Sequence, residues 1–253
     1  DAFMNDIYSK QTPVVIEKVN VGASLSKWKD PKYLINAVGS DRKIVAHVSD
    51  APNLNFLAKN FEYKTLPFGE FIQNVYTPPK ENAKNMYLRS LSSDNPQGKP
   101  AIFRHDFEAL SADFVLPPPL APLEDQHFSS PLRISSPKTA IWTHYDVTAN
   151  ILCQVVGSKK VRLYPPSDVS KLSFPAGAST SLIDNIFEFP DSALGGTKPL
   201  ETTLAPGDIV FIPACWIHAT LPLDVSISLN FFWKDLKPEV YGNGKKDIYG
   251  NKD

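Results

Sequence analysis

The feature that most constrains the fold is a dense succession of short strand-like segments in the second half of the chain. From Leu132 onward, runs rich in β-branched and aromatic residues alternate with Gly and Pro turns. We predict strands at residues 132–135, 140–147, 149–156, 159–164, 200–204, 208–212, 215–221 and 225–233. Short strands at this spacing are typical of a β-sandwich or barrel. The chain is therefore predicted to be mainly β, and the favoured arrangement is a double-stranded β-helix, the jelly-roll or cupin barrel.

The first half of the chain mixes helical and strand patterns. Helices are predicted at residues 1–9, 29–38 and 68–76, and strands at residues 13–19, 43–48, 61–66 and 86–91. Residues 92–130 are irregular and rich in proline. The phenylalanines around the proline run favour an ordered surface wrap, and a proline-rich ligand for an SH3-type module is the alternative. Helices are thus expected to flank the barrel on its N-terminal side.

Neither an internal repeat nor a linker interrupts the sequence, so we predict a single domain over residues 1–253. Its N-terminal flank and wrap are residues 1–130, its core barrel is 131–235 and its C-terminal tail is 236–253. The first residue is Asp and not Met, which favours a piece of a longer protein.

Charge and composition narrow the function. The net charge of −1 excludes a chain that binds nucleic acid through overall basicity, so an anionic partner would need a local patch. Candidate basic residues are Arg89, Arg104, Arg133, Lys159, Lys160, Lys245 and Lys246, and an ordinary solvated surface is the alternative. The sequence has no run of about 18 apolar residues and opens on no signal-peptide pattern, so no membrane association is expected. Cys153 and Cys215 are interpreted as buried free thiols, which predicts a cytoplasmic protein and leaves the nucleus open.

One motif in the predicted barrel indicates a metal site. His144 and Asp146 are two residues apart on a predicted strand, so their side chains should point to the same face. His218 lies on a second strand-like segment. Two histidines and one carboxylate form the facial triad that holds non-haem Fe(II) and leaves coordination positions open. Zinc is the alternative metal, and unrelated histidines are the alternative without a metal.

The alternation of residues also predicts an anion site. On the segment 159–164, Lys159 shares one face with Val161 and Leu163, whereas the opposite face is polar and is expected to meet solvent. A buried lysine is costly unless it is paired, so a ligand carboxylate is a natural partner. The alternative is that Lys159 extends from the strand end to water. The small polar face of the last strand, Ser226, Ser228 and Asn230, leaves room for a ligand or faces solvent.

Several motifs together match one family. They are His144-Tyr145-Asp146, Asn150, Gly157-Ser158-Lys159-Lys160, Pro206-Gly207-Asp208 and Trp216-Ile217-His218. With them the chain resembles the JmjC, or cupin-8, family of Fe(II)/2-oxoglutarate dioxygenases from about Pro13 to Lys252. Within that family it is most similar to the wybutosine hydroxylases of tRNA modification and to the JmjC domain fused to the C-terminus of a fungal wybutosine-synthesising enzyme. The segments that indicate this include 130–137 and 249–253.

The resemblance implies a role for each matching residue. It implies that Fe(II) is held by His144, Asp146 and His218. It implies contacts to the co-substrate 2-oxoglutarate from Tyr87, Asn150, Lys159, Thr143 and Asn230. It places Arg133 at the substrate entrance.

The resemblance also implies a reaction. With O2, the enzyme would convert 2-oxoglutarate to succinate and CO2 and hydroxylate a C–H bond on the wybutosine-type base of tRNA(Phe). The alternatives are a protein hydroxylase or demethylase that acts on a peptide side chain, and a non-catalytic metal-binding β-barrel that serves as an interaction domain. The wybutosine hydroxylases continue into C-terminal helices that help to form a dimer, whereas this chain ends at Asp253, so a homodimer stays open.

Overall fold

The computed structural model describes residues 3–77, 83–190 and 193–241. In this part of the chain the strands are β1 (Val14–Ile16), β2 (Lys43–Ser49), β3 (Asn53–Leu54), β4 (Glu62–Pro67), β5 (Asn85–Arg89), β6 (Leu132–Ser135), β7 (Ala140–His144), β8 (Ala149–Val156), β9 (Lys159–Tyr164), β10 (Leu200–Leu204), β11 (Ile209–Ile212), β12 (Ile217–Pro222) and β13 (Ser226–Trp233). The α-helices are α1 (Ser24–Lys27), α2 (Pro31–Val38), α3 (Phe68–Tyr76), α4 (Phe103–Asp106), α5 (Glu108–Ser111) and α6 (Pro122–Gln126). Shorter helical turns are Phe3–Ile7, Tyr8–Lys10, Pro166–Lys171, Ile186–Glu188 and Pro238–Tyr241.

The strands form two sheets. The larger has the order β1-β11-β8-β13-β6-β5-β2-β4, and the smaller has the order β10-β9-β12-β7-β3. Among the described strands every pairing is antiparallel except that of β3 with β7. The predicted mainly β architecture with helices on the N-terminal side is confirmed.

The central strand β8 separates two environments. All its residues are buried, because helices cover one face of the larger sheet and the smaller sheet covers the other. The odd-numbered residues of β8 join the main core, together with Trp28, Leu34 and Phe103. On the other face Leu152 packs with Val161 and Leu163 of β9. The even-numbered face of β8 therefore points between the sheets.

Local sequence signals explain the two longer helices. Asp30 caps α2, since its side chain accepts a hydrogen bond from the Lys32 backbone N–H and Pro31 fills the first helical position. The helix therefore begins at Pro31, two residues later than predicted, and it ends at Gly39, whose φ is +96°. Helix α3 has the predicted bounds, and its apolar side chains are buried.

Several predicted strand bounds differ from the observed ones, and two differences, in β7 and β9, bear on the site. Strand β7 ends at His144 and not at residue 147, because the chain turns away there and the Tyr145 backbone N–H donates to the Ser179 carbonyl. The outer face of β9 does not meet solvent at Tyr164, which is fully buried. The segment after β9 folds back over it and supplies Leu172 and Ile186 to a second apolar cluster.

The termini and the proline-rich segment also differ in detail. The predicted helix at residues 1–9 is a π-helical turn and a 3-10 turn over residues 3–10, and residues 1–2 lie outside the described part. The segment 92–130 is an ordered wrap, since Leu116, Leu120 and Leu123 are buried in the main core. Within the described ranges none of the helices combines the length and the hydrophobicity that crossing a bilayer requires.

Candidate metal centre

Three side chains converge where β7 and β12 pair. His144 and His218 are direct cross-strand partners, and their ring centroids are 4.4 Å apart. Asp146 Oδ2 lies 3.6 Å from His218 Nε2 and 3.9 Å from His144 Nε2. One donor atom from each residue lies within 4.8 Å of the others. The predicted triad is therefore assembled in space, with donors that suit a divalent metal.

The two imidazoles are held in matching ways. His144 Nδ1 lies 2.9 Å from the carbonyl oxygen of Trp142, and His218 Nδ1 lies 2.9 Å from that of Trp216. A backbone carbonyl accepts only from a protonated nitrogen, so each Nδ1 carries the hydrogen and each Nε2 presents its lone pair. Such a partner fixes the orientation of a ligating histidine and raises its basicity.

Asp146 reaches the site from outside the strand. The residue follows the end of β7, and its own carbonyl accepts a 2.7 Å hydrogen bond from the Cys215 backbone N–H. Cys215 has a left-handed φ of +65°, one residue before Trp216. The predicted common face of His144 and Asp146 is thus achieved through a turn locked to the loop before β12, and Tyr145 packs its ring against Phe174.

The charge states suit a metal site. Burial, together with the neighbouring His144, lowers the pKa of His218 to about 4, so this imidazole is neutral near pH 7. Burial raises the pKa of the Asp146 carboxyl, yet the electrostatic effects of His144, His218, Arg133 and Arg89 together hold it below its ordinary value. A neutral histidine and an ionised carboxylate are the forms that ligate metals.

A narrow cavity leads from the triad between the two sheets. Its wall includes His144, Asp146, His218, Lys159 and Asn230. Lys159 is buried, and its Nζ donates to Ser228 Oγ at 2.7 Å. The predicted interior position of Lys159 is confirmed, and of the two alternatives for the polar face of β13 the structure shows the interior one. Burial, with a contribution from Arg133, lowers the pKa of Lys159 to about 7, and no carboxylate pairs with it among the described residues.

A chain of hydrogen bonds links four of the predicted site residues. Arg133 Nη1 donates to the Tyr87 hydroxyl, and Arg133 Nε donates to Asn230 Oδ1 at 2.7 Å. Asn230 Nδ2 then donates to Asn150 Oδ1 at 2.8 Å. Tyr87, Arg133 and Asn230 line the cavity, whereas Asn150 lies behind them and supports Asn230.

Two threonines near β7 differ in their access to the cavity. Thr143 is buried but does not line the cavity, so it has no access to a ligand there. Thr139, which no sequence pattern predicted, lines the cavity and is fully buried, and its hydroxyl oxygen has no hydrogen-bond partner among the described residues. A hydroxyl among β-branched residues gives no sequence signal that would set Thr139 apart from Thr143.

The predicted basic residues do not form one patch. Arg104 pairs with Glu124 at 2.7 Å, and Lys160 pairs with Glu201 at 3.1 Å, away from the cavity. Lys245 and Lys246 lie outside the described residues, as does the segment 249–253. Arg89 and Arg133 lie side by side near the triad, as direct partners across β5 and β6.

Comparisons with known proteins agree with this architecture. A family model described as a cupin-like domain matches residues 1–238. The X-ray structure of E. coli ycfD superposes with a TM-score of 0.52 at 14% identity, over 94% of this chain and 53% of that chain. At that identity the likeness concerns the fold alone.

The chain aligns with most of the length of some similar proteins and with a small part of others. The chain is 40% identical over 262 residues to tRNA wybutosine-synthesizing protein 5 of Danio rerio, which covers 100% of this chain and 77% of the relative. It is 37% identical to protein 5 of Homo sapiens, over 100% of this chain and 80% of the relative. It is also 46% identical to tRNA wybutosine-synthesizing protein 4 of Neurospora crassa, over 95% of this chain but only 20% of that protein. The chain therefore spans about a fifth of the length of this fungal relative.

Proposed function

This chain belongs to the cupin-like domain family, and we propose that it is an Fe(II)- and 2-oxoglutarate-dependent oxygenase that hydroxylates a wybutosine-type base of tRNA(Phe). The observation that carries the proposal is a three-donor metal site and, in the same cavity, a buried lysine that has no carboxylate partner among the described residues. A metal site alone suits many reactions. A buried lysine with no carboxylate partner, in contrast, calls for an anionic ligand beside the metal.

The triad fits iron by the chemistry of its donors. His144, Asp146 and His218 would hold the ion on one side and leave the other side free, as in non-haem Fe(II) oxygenases. Bound iron, with 2-oxoglutarate and O2, supplies the oxidation of a C–H bond to an alcohol with release of succinate and CO2. The carbonyls of Trp142 and Trp216 keep both Nε2 atoms aimed at the ion.

The position of Lys159 fits a dicarboxylate. On the paired strands β9 and β12, Lys159 is opposite Pro222, four residues along β12 from His218. Four residues of strand span roughly 13 Å, and residues of equal parity share a face. A lysine side chain and a five-carbon dicarboxylate together can bridge that length. Lys159 would then bind the carboxylate far from the metal, and the buried cation would gain its missing partner.

Two hydroxyl groups of the cavity, those of Thr139 and Tyr87, are further candidates to bind a carboxylate of 2-oxoglutarate. The Thr139 hydroxyl is buried without a partner, and a ligand oxygen would satisfy it. Tyr87 receives a hydrogen bond from Arg133, which leaves the hydrogen of its own hydroxyl free to donate into the cavity. Hydrogen bonds to a charged acceptor are about twice as strong as those between neutral groups.

Apolar residues separate the polar groups of the cavity. Ile141, Leu152, Ile212 and Phe232 contribute to its wall. They would exclude water once a ligand fills the space, which strengthens the electrostatic contacts inside and protects reactive species from solvent.

The substrate that we propose follows from the names of the similar proteins. Proteins named for tRNA wybutosine synthesis match at 36–46% identity over nearly all of this chain. Because the vertebrate relatives align over most of their own length, the shared name refers to a protein built largely from this domain. A C–H bond on a wybutosine-type base is therefore the reaction site that we propose.

Succinate release from 2-oxoglutarate tests the proposal. The assay contains Fe(II) and ascorbate and compares no substrate, peptide pools and tRNA(Phe) that carries wybutosine precursors, with His144→Ala as the control. Stimulation by the precursor tRNA alone supports an RNA hydroxylase. Turnover that depends on His144 but ignores the tRNA supports a protein hydroxylase or demethylase instead. Stoichiometric zinc without 2-oxoglutarate binding, or no turnover at all, supports a zinc site or a non-catalytic barrel.

A further inference from the structure

A second, wider cleft opens beside the metal centre. It has a volume of about 530 Å³, and the triad residues His144 and Asp146 form part of its floor. Large aromatic side chains on its wall are unusually exposed: Phe56 and Phe128 at 37% each and Tyr63 at 59%. Exposed aromatic rings around a cavity mark a binding surface and not a core.

The aromatic rings that line the cleft extend outward from the metal ligand His144. The Trp142 ring centroid lies 6.0 Å from that of His144. On its far side, Phe56 lies 5.2 Å from Trp142, and Phe61 stacks on Trp142 at 6.0 Å with an interplanar angle of 11°. We call Trp142 and Phe56, which both line the cleft, the aromatic wall. A planar group held on this wall would lie next to the metal.

The charges around the cleft select the kind of planar group. Arg89 and Arg133 line the cleft, and no ion pair is present for either of them in the described part of the chain. Lys59 Nζ lies 3.4 Å from the Phe56 ring centroid, at the edge of the aromatic wall. Asp146 is the one acidic residue among those that line the cleft in the described ranges, and its carboxylate belongs to the triad. The cleft is thus aromatic and positively charged.

We propose that the aromatic wall is the stacking platform for a nucleobase that is turned out of its RNA strand. The inference rests on the proposed function and specifies how the substrate is held. Every base has a π-face that stacks on aromatic side chains, and bases that enzymes modify are commonly extruded into such pockets. The cations Lys59, Arg89 and Arg133 face the negative charge that accompanies the base.

The same charges argue against a methylated lysine as the occupant. An aromatic cage attracts a cationic ligand through the negative faces of its rings. Here Lys59 already lies over the Phe56 ring, and two arginines line the cleft, so a second cation would be repelled. A peptide with such a side chain is therefore the outcome that would contradict the platform.

Equilibrium binding without iron tests the inference. Labelled tRNA(Phe) carrying the wybutosine precursor is titrated with the full chain, and the unmodified transcript of the same tRNA and a trimethyllysine peptide are the comparison ligands. The variants are Trp142→Leu, Trp142→Phe and Phe56→Leu. Phe189→Leu is the matched control, because Phe189 is an exposed aromatic residue at 43% that does not line the cleft.

We expect Trp142→Leu and Phe56→Leu each to weaken binding of the precursor tRNA about tenfold or more, which corresponds to the loss of one stacked base. Trp142→Phe should keep most of the affinity, and Phe189→Leu all of it. Phe56 is partly exposed, so its variant tests the wall even if Trp142→Leu does not fold.

The inference is overturned if both leucine variants bind the precursor tRNA as the wild type does, or if the wild type prefers the peptide. Stabilisation of each variant against heat by 2-oxoglutarate with Mn(II) is measured in parallel. If 2-oxoglutarate with Mn(II) does not stabilise the wild type, the proposed function is contradicted. If it stabilises the wild type and the leucine variants, and these variants bind the precursor tRNA as the wild type does, only the role of the aromatic wall is contradicted.

Discussion

His144 lies directly opposite His218 in the pairing of β7 with β12, with 4.4 Å between the ring centroids. A register break follows between His218 and Thr220, and such irregularities re-aim side chains near active sites. Asp146 completes the set from the turn after β7. The metal site thus depends on the alignment of two strands and one locked turn.

The triad makes metal binding dependent on each of its members. We expect His144→Ala and Asp146→Ala to abolish succinate formation and to remove the thermal stabilisation that added Fe(II) or Mn(II) gives. Two remaining donors hold a divalent ion weakly, because affinity depends on donor number and geometry. Calorimetric titration with Mn(II) measures the loss. Full turnover by Asp146→Ala would show that the triad assignment is wrong.

Replacing Lys159 should stabilise the ligand-free protein and weaken its binding of 2-oxoglutarate. Replacement by Met removes a buried amine that has no carboxylate partner among the described residues, so we expect the ligand-free protein to melt a few degrees higher. The same change should weaken 2-oxoglutarate binding by about ten- to a hundredfold, the usual value of a hydrogen bond to a charged group. Differential scanning calorimetry and a 2-oxoglutarate titration check both effects. A variant that is less stable and binds normally would contradict the assignment.

Binding of 2-oxoglutarate should weaken as the pH rises above about 7. Burial lowers the pKa of Lys159 to about 7 in the free protein, and a bound carboxylate would raise it again. Above the free-state pKa, binding must therefore be accompanied by uptake of a proton from solvent onto Lys159, which costs up to about tenfold in affinity per pH unit. Titrations from pH 6.5 to 9 measure the slope. Lys159→Arg should flatten it, since arginine stays protonated.

The two threonines near β7 give a matched pair. Thr139→Val should raise the dissociation constant of 2-oxoglutarate about fivefold while leaving the ligand-free protein no less stable, because the hydroxyl has no partner to lose. Thr143→Val is the control, since Thr143 is buried outside the cavity. An effect of Thr143→Val that equals or exceeds that of Thr139→Val would restore Thr143 as the contact.

Alternation along strands explains why much of the site could be predicted. The parity of Lys159 with Val161 and Leu163 placed Lys159 inside the barrel, and the structure agrees. Parity also put Ser228 and Asn230 on one face, but it did not decide between the interior and solvent. At residue 146 the predicted convergence with His144 is correct, but a turn produces it and not strand alternation, because the strand ends at His144. Parity failed at Tyr164, which the segment after β9 covers. Such coverage depends on long-range packing that local periodicity does not contain.

The aromatic wall was invisible to sequence patterns for a similar reason. Phe56 comes from the loop after β3, and Trp142 comes from β7, far apart in the chain. Only the parallel pairing of β3 with β7 brings them within 5.2 Å of each other. The proposed role of Thr139 likewise follows from its position in the cavity, and not from its neighbours in sequence.

The most direct measurement is the incorporation of 18O from labelled O2 into the wybutosine-type nucleoside of tRNA(Phe), followed by mass spectrometry with Fe(II) and 2-oxoglutarate present. The account predicts one labelled oxygen atom on that nucleoside, one succinate formed for each, and neither product with His144→Ala. Succinate that forms without label in the nucleoside, or label found instead in a protein substrate, would contradict a tRNA hydroxylase.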